Sequence, residues 1–206
     1  MEPIYGKNNK EELPLEHYLT RYRDGDPGEM ARRCALPWDE AAGALSLTFL
    51  GGTYAVSHPD FTIAGPTPLN NQERILFLRY LLDGVFVPPS GTYLTYREFP
   101  WGEVYLQQFT GRCIKRFAFS YGSKPALLRQ VMERMGARPV PQSDQGWELT
   151  LMEGLTLRFL LWLGDDEFPP SGQILFSDNF RGAFTAEDMA NIGDIVLNRM
   201  KAAQQG

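Results

Sequence analysis

The chain has 206 residues, of which 43% are hydrophobic and 13% aromatic, and its formal net charge is −5. This composition excludes global disorder and predicts a soluble protein with a substantial core. A domain that binds duplex nucleic acid usually carries a basic stripe. The densest basic cluster in this sequence, formed by Arg112, Lys115 and Arg116, is small. Neither nucleic acid nor an anionic membrane is therefore expected as a partner.

Three further features bear on location and redox chemistry. The first residues lack the basic and then apolar pattern of a signal peptide, so the cytoplasm is the expected location. The most apolar run, Leu155 to Gly164, has about half of the 20 residues that a membrane helix needs, and it predicts a buried strand. Cys34 and Cys113 form no CxxC pair, which excludes cysteine-rich zinc and iron–sulfur patterns and leaves a single disulfide open.

The first half of the chain predicts helices around a β-hairpin. Residues 1–10 are expected to form a flexible arm, and residues 11–206 a single α+β domain. The predicted elements are a helix from about residue 11, a helix over residues 29–36, a hairpin that turns at Gly51-Gly52, a short strand over residues 61–64, and a helix over residues 72–84 capped by Asn70 or Asn71.

The second half predicts strands between helices. Its elements are a strand after Gly91, an ambiguous segment over residues 102–122 that Gly111 interrupts, a helix over residues 124–136, a loop over residues 137–146, three strands between Trp147 and Phe176, and a final helix from Thr185. Thr185 and Asp188 resemble a capping box. Tight turns between adjacent strands predict a mainly antiparallel sheet with hairpins, packed by about five helices, in the α+β class.

The tetrapeptide Pro-Pro-Ser-Gly occurs twice, at residues 88–91 and 169–172, and each copy leads into a predicted strand. In one interpretation the two copies share only turn chemistry, because proline extends the backbone and Ser-Gly permits a sharp turn. In the other interpretation the two loops lie side by side at one sheet edge. Arg97 could then pair with Asp178 or with the acidic cluster at residues 165–167.

The residues beside the two tetrapeptides are the candidate binding surface. Its members are Arg97, Glu98, Trp101, Asp165, Asp166, Glu167 and Asp178. Arginine can grip a carboxylate or a phosphate, and Trp101 could form the floor of a ligand pocket or fill the core. The three consecutive carboxylates could hold a hard cation, form a solvated hairpin tip or, if buried, exchange protons.

His58 and Cys113 are weaker candidates. His58 follows a predicted strand and could bind a metal or a tetrapyrrole, but no second ligand motif accompanies it. Basic neighbours of Cys113 could lower the pKa of its thiol, whereas a buried cysteine is inert. His17 is expected on the polar flank of the first helix.

The phrases QERILFLRYLLDG, GTYLTYREFP and LRFLLWLGDDEFPPSGQILF, followed by a helix that opens with TAED, resemble a family of domains of unknown function. The resemblance runs from about Ala31 to Met200. It implies a distribution among anaerobic bacteria and archaea, with members sometimes fused to an iron–sulfur domain. A role near anaerobic redox or one-carbon metabolism is implied, while no catalytic residue is.

The sequence supports two main hypotheses of function. In the first, the protein is a cytoplasmic accessory or binding protein that recognises a protein partner or a small molecule through the candidate surface. In the second, it is an enzyme or a carrier for a haem, a corrinoid or a metal centre, with His58 as ligand. A homodimer through an exposed sheet edge is a structural alternative. The sequence assigns neither a cofactor nor an oligomeric state, and it contains no recognisable catalytic motif.

Overall fold

A computed structural model describes residues 12–205, and the predicted arm over residues 1–10 lies outside them. The chain divides into two compact units. Among the described residues, the first unit contains residues 12–47 together with Gly52–Phe86, and the second contains Thr48–Gly51 together with residues 87–205. The predicted α+β class is confirmed, while the grouping of residues 11–206 into one domain stays a prediction.

The first unit is built on a four-stranded sheet in the order β1-β2-β3-β4. Its elements are α1 (Glu12–Asp24), α2 (Pro27–Cys34), β1 (Trp38–Asp39), β2 (Ala44–Phe49, whose last two residues group with the second unit), β3 (Gly52–Ser57), β4 (Ile63–Ala64) and α3 (Asn71–Asp83). The predicted hairpin is confirmed, but its turn lies one residue earlier than expected. Leu50 and Gly51 take the positive φ values of 46° and 82°, and Gly52 already belongs to β3.

Side-chain caps define the helix starts in this unit. The Asp26 carboxylate accepts hydrogen bonds from the backbone N–H groups of Gly28 at 2.8 Å and Glu29 at 3.4 Å, and so begins α2. Asn70, not Asn71, caps α3, because Asn70 and Glu73 exchange the reciprocal bonds of a capping box. The cap predicted from the sequence therefore has a partner that the sequence analysis did not assign.

The second unit is built on a five-stranded antiparallel sheet in the order β5-β9-β8-β7-β6. Its elements are β5 (Tyr93–Thr95), a 3-10 turn (Tyr96–Glu98), α4 (Gly102–Phe109), a π-helical segment (Thr110–Lys115), α5 (Arg116–Tyr121), α6 (Pro125–Arg134), β6 (Arg138–Pro139), β7 (Gln145–Met152), β8 (Leu155–Trp162), β9 (Ser171–Ser177), α7 (Phe180–Ala183) and α8 (Ala186–Ala202).

Several expectations for this unit are confirmed and two need correction. The apolar run from Leu155 forms β8, and the Thr185–Asp188 capping box starts α8. The ambiguous segment is helical from Gly102 to Tyr121, and its six central residues, Thr110–Lys115, form a π-helix that includes Gly111. The predicted loop over residues 137–146 contains β6, a short edge strand whose proline needs no ladder hydrogen bond.

The core of the second unit lies between one face of the sheet and the helices. Phe176 on β9 is fully buried and is the centre of an aromatic cluster. Its ring centroid lies 5.1 to 6.4 Å from those of four other rings, which belong to Tyr96, Phe99, Phe109 and Phe180. Edge-on and tilted pairs at these distances add about 0.5–1.5 kcal/mol each to the effect of burial. Within residues 12–205, no helix combines the length and the apolar character that crossing a membrane requires.

We predict that Gly102→Ala destabilises the protein by about 1–3 kcal/mol, because a Cβ atom there would lie 2.1 Å from the backbone carbonyl oxygen of Tyr96. Gly111→Ala is the matched control, since no atom of the described residues beyond its own stretch of backbone lies within 4 Å of its added Cβ and alanine favours a helix by roughly 0.5–1 kcal/mol. Urea unfolding measures both changes. Equal stabilities for the two variants would contradict the proposed close approach.

Candidate functional site

The two Pro-Pro-Ser-Gly segments lie at opposite ends of a strand pair. Strands β5 and β9 are neighbours, but they are antiparallel, with Tyr93 opposite Ser177 and Thr95 opposite Leu175. The first segment therefore lies near the end of β9, whereas the second opens β9 about 20 Å away along the strand. The interpretation that places the two loops side by side is wrong, and turn chemistry accounts for the first copy only, because the Ser-Gly of the second copy already belongs to β9.

The two copies use their glycines differently. Gly91 has a φ of +89°, and apart from its chain neighbours no described residue lies within 4 Å of an added Cβ, so Gly91 serves the turn. Gly172 lies inside β9, and an added Cβ would meet the Phe117 ring at 2.9 Å. The first glycine is required by backbone conformation and the second by packing.

Arg97 does not pair with Asp178 or with the acidic cluster, so this predicted contact is wrong. Its Nε atom lies 2.9 Å from Oε1 of Glu103, and both side chains are exposed. Asp178 instead accepts a hydrogen bond from the backbone N–H of Ser90 at 3.1 Å. The antiparallel direction of β5 explains the difference, because it carries Arg97 away from the end of β9.

Glu98 and Trp101 follow β5 in the same loop. The Glu98 carboxylate accepts hydrogen bonds from the backbone N–H and the hydroxyl of Thr95. Both bonds lower the pKa of this carboxyl, and the backbone bond has the larger effect. Trp101 does not fill the core, since 76% of the residue is exposed, and its role in a ligand pocket stays a prediction. Its φ is +64°, a conformation that a bulky side chain seldom adopts.

The acidic cluster is a solvated tip between β8 and β9. Asp165, Asp166 and Glu167 are all exposed. Oδ1 of Asp165 accepts hydrogen bonds from the backbone N–H groups of Phe168 at 2.7 Å and Glu167 at 2.9 Å, which lowers the pKa of this carboxyl. Across the described residues, no group of three or more His, Cys, Asp or Glu side chains is arranged to hold a metal ion. A binding role for the seven candidate residues stays a prediction, but they do not form one surface around two adjacent loops.

The remaining candidates are held by local contacts. Nε2 of His58 lies 3.1 Å from the carbonyl oxygen of Tyr22, and the two rings pack edge to face. Cys113 is fully buried and free, and burial, followed by the nearby Asp194 carboxylate, raises the pKa of its thiol to about 12. Cys113 is therefore an inert thiol at neutral pH. His17 is exposed, as expected.

A buried carboxylate on the second sheet was missed by sequence reasoning. The Glu148 side chain on β7 is only 5% exposed. It accepts hydrogen bonds from the hydroxyl of Tyr93 at 2.7 Å, from Nε of Arg158 at 2.8 Å and from Nε of Arg138 at 2.7 Å. The Arg158 guanidinium also lies 3.6 Å from the centroid of the Tyr93 ring. Three strands besides β7 thus converge on one carboxylate.

The electrostatics of Glu148 indicate a structural role. Burial raises the pKa of its carboxyl, but the hydrogen bonds from Tyr93, Arg158 and Arg138 outweigh burial and lower it overall. The carboxylate is therefore charged and paired at neutral pH. This state suits a residue that holds strands together better than one that transfers protons. In the sequence, the position of Glu148 between the apolar residues Trp147 and Leu149 indicates a charged residue within a buried strand. The partners of Glu148 could not be assigned without the strand register.

A second feature that the sequence analysis missed is a groove in the first unit. Its volume is about 690 Å³, and it is lined by Asp60, Phe61, Thr62, Ile63, Ala64, Gly65, Thr67, Pro68, Leu69 and Arg74. The Arg74 guanidinium carbon lies 5.8 Å from the centroid of the buried Phe61 ring. Nε of Arg74 is buried without a hydrogen-bond partner, and no carboxylate of the described residues lies within ion-pair distance of this side chain. The groove therefore presents an uncompensated cation.

We predict that Glu148→Gln lowers the free energy of unfolding by about 3 kcal/mol at neutral pH, because it removes one partner of a buried ion pair. Since the folded-state pKa of Glu148 is depressed, its contribution is present above the unfolded carboxyl pKa of about 4.3. It is lost as the pH falls through the folded pKa. The gap between wild type and variant should therefore shrink in acid.

Denaturant unfolding at neutral and acidic pH measures this gap. Glu103→Gln is the matched control, because the exposed Arg97–Glu103 pair should contribute at most about 1 kcal/mol. A loss for Glu148→Gln no larger than for Glu103→Gln would contradict the role assigned to the buried carboxylate.

Comparisons with known proteins place this architecture in a family. A family model described as a domain of unknown function, DUF3786, matches residues 26–199. No curated protein and no solved structure matches the chain. The match covers most of the sequence and includes every element from α2 to most of α8. The chain therefore belongs to the DUF3786 family of domains of unknown function.

Proposed function

We propose that the protein is a binding protein for a small molecule with one anionic group, a carboxylate or a phosphate, which is held in the groove of the first unit. The observation that carries the proposal is Arg74. A partly buried guanidinium is normally paired, whereas Arg74 has no carboxylate partner within the described part of the chain. A ligand anion would supply that partner.

The chemistry and size of the groove support this ligand class. A guanidinium binds carboxylates and phosphates through a planar fork of N–H donors. A volume of about 690 Å³ lies in the range of small-molecule sites. Phe61 packs beneath the guanidinium, and its ring also packs edge-on against buried Tyr22 with centroids 5.1 Å apart. Arg74 is thus supported by a fixed aromatic ring.

The rest of the lining suggests which end of the ligand binds where. Asp60 places an exposed carboxylate on the same groove, which disfavours a ligand with negative charge at both ends. Ile63 and Leu69 are half-buried and offer apolar contact. We therefore infer a ligand with one anionic end and a neutral or cationic remainder.

The wider setting of the proposal comes from the family resemblance and the composition. We place the protein in the cytoplasm, as an accessory to anaerobic redox or one-carbon metabolism. As part of this proposal, we infer that members of the family occur among anaerobes and that some are fused to iron–sulfur domains. Recognition of a protein partner through the residues beside the Pro-Pro-Ser-Gly segments is a second route to the same accessory role.

The carrier alternative relies on His58. To bind the iron or cobalt of a tetrapyrrole through Nε2, His58 would have to leave its contact with the Tyr22 carbonyl. This contact favours the binding role over the carrier role. We expect no spectral change when haem or hydroxocobalamin is added to the purified protein. A shifted absorption band that His58→Ala abolishes would instead support the carrier.

We predict that Arg74→Gln weakens anion binding at least about tenfold, because it removes a charge-assisted hydrogen bond. The probes are 4-aminobutyrate, succinate and inorganic phosphate, measured by calorimetry and by the shift in melting temperature. Among the carboxylates, 4-aminobutyrate should bind more tightly than succinate, because its ammonium group replaces a second carboxylate near Asp60. The variant should keep its stability within about 1 kcal/mol, since Arg74 has no ion pair with any described residue to lose.

Arg23→Gln is the matched control, because Arg23 is an exposed arginine of the same unit. It should bind the probes like the wild type. The proposal is wrong if no probe binds, or if the Arg74 and Arg23 variants bind equally well.

A further inference from the structure

We propose that a second copy of this chain docks on the second unit, with the acidic tip of each copy in the basic pocket of the other. The acidic tip is the segment from Gly164 to Pro169. The basic pocket is a cavity of about 340 Å³ whose lining includes Arg116, Phe119, Lys124 and Lys201. Complementary charge and exposed aromatic rings on both features carry the inference.

The acidic tip has unused charge and an exposed ring. Asp165 is occupied by the backbone of its own turn. Asp166 and Glu167 are exposed, and no cation of the described residues pairs with them. Phe168 follows directly and is 67% exposed. The tip therefore offers two free carboxylates next to an uncovered aromatic side chain.

The basic pocket offers the complementary groups. Lys124 and Lys201 are exposed, and neither has an ion pair among residues 12–205. Arg116 is already held by Asn198 at 2.7 Å and by Asp194 at 3.6 Å. Phe119 is 90% exposed, an unusual state for a phenylalanine on a helix. Two free ammonium groups thus lie on a cavity with an uncovered ring.

The two features are neighbours, which makes the surface self-complementary. Gly122 and Ser123 line a second cavity of about 340 Å³ together with the acidic tip. Tyr121 and Lys124, the residues on either side of this pair, line the basic pocket. When unlike charges lie side by side, a twofold axis between them brings each acidic patch onto the basic patch of the other copy. The contact between tip and pocket would then form twice in the dimer, and Phe119 and Phe168 of each copy would be buried.

Sedimentation equilibrium of the whole chain tests this inference. The wild type should show a concentration-dependent dimer that weakens as salt screens the charges. Replacing both Asp166 and Glu167 by lysine should raise the dimer dissociation constant at least about tenfold, and so should replacing both Lys124 and Lys201 by glutamate. The fourfold variant that combines these charge reversals should dimerise again, because the complementarity is restored.

The double variant Asp24→Lys with Glu29→Lys is the matched control, since it reverses two exposed carboxylates of the first unit. It should dimerise like the wild type. Circular dichroism verifies that each variant is folded. A wild type that is monomeric at every concentration in low salt, or a fourfold variant that stays monomeric, overturns the inference. So does a monomeric wild type whose basic pocket binds a free peptide of the tip sequence, because the occupant is then another acidic protein.

Discussion

The antiparallel pairing of β5 with β9 determines most of the arrangement of the second unit. It places Tyr93 opposite Ser177 at the sheet edge, and from there the Tyr93 hydroxyl reaches across β9 and β8 to the Glu148 carboxylate on β7. The same direction separates the two Pro-Pro-Ser-Gly segments and leads the chain into a 3-10 turn. After this 3-10 turn the chain passes so close to the Tyr96 carbonyl oxygen that only glycine fits at position 102.

The two faces of this sheet are stabilised by different physical effects. On one face, aromatic rings gather around Phe176, and apolar burial is the main contribution. On the other face, Glu148 collects hydrogen bonds from two arginines and a tyrosine. Apolar burial is non-directional, whereas the charged bonds require particular atoms to meet. We infer that the aromatic face supplies most of the stability and that Glu148 selects the register of the strands.

Local signals were sufficient for much of the fold. The Thr185–Asp188 box, the cap at Asn70 and the strand at Leu155 depend on residues close in sequence, and the structure confirms them. Contacts that depend on strand direction could not be predicted. The partner of Arg97 is an example. Aligning the two strand sequences without a gap pairs Arg97 with Asp178 only if the strands run parallel, whereas β5 and β9 are antiparallel. The free guanidinium of Arg74 was missed for a related reason, since only a folded groove distinguishes it from an ordinary polar flank.

The repeated tetrapeptide has a consequence for how this family should be compared. Gly91 is required because its φ is positive, whereas Gly172 leaves room for the Phe117 ring. Asparagine tolerates positive φ and could replace the first glycine in a homologue, while any side chain at the second would collide with the ring. The shared tetrapeptide therefore meets two different structural requirements. An alignment that superimposes the two segments would equate a glycine of a turn with a glycine packed inside a strand.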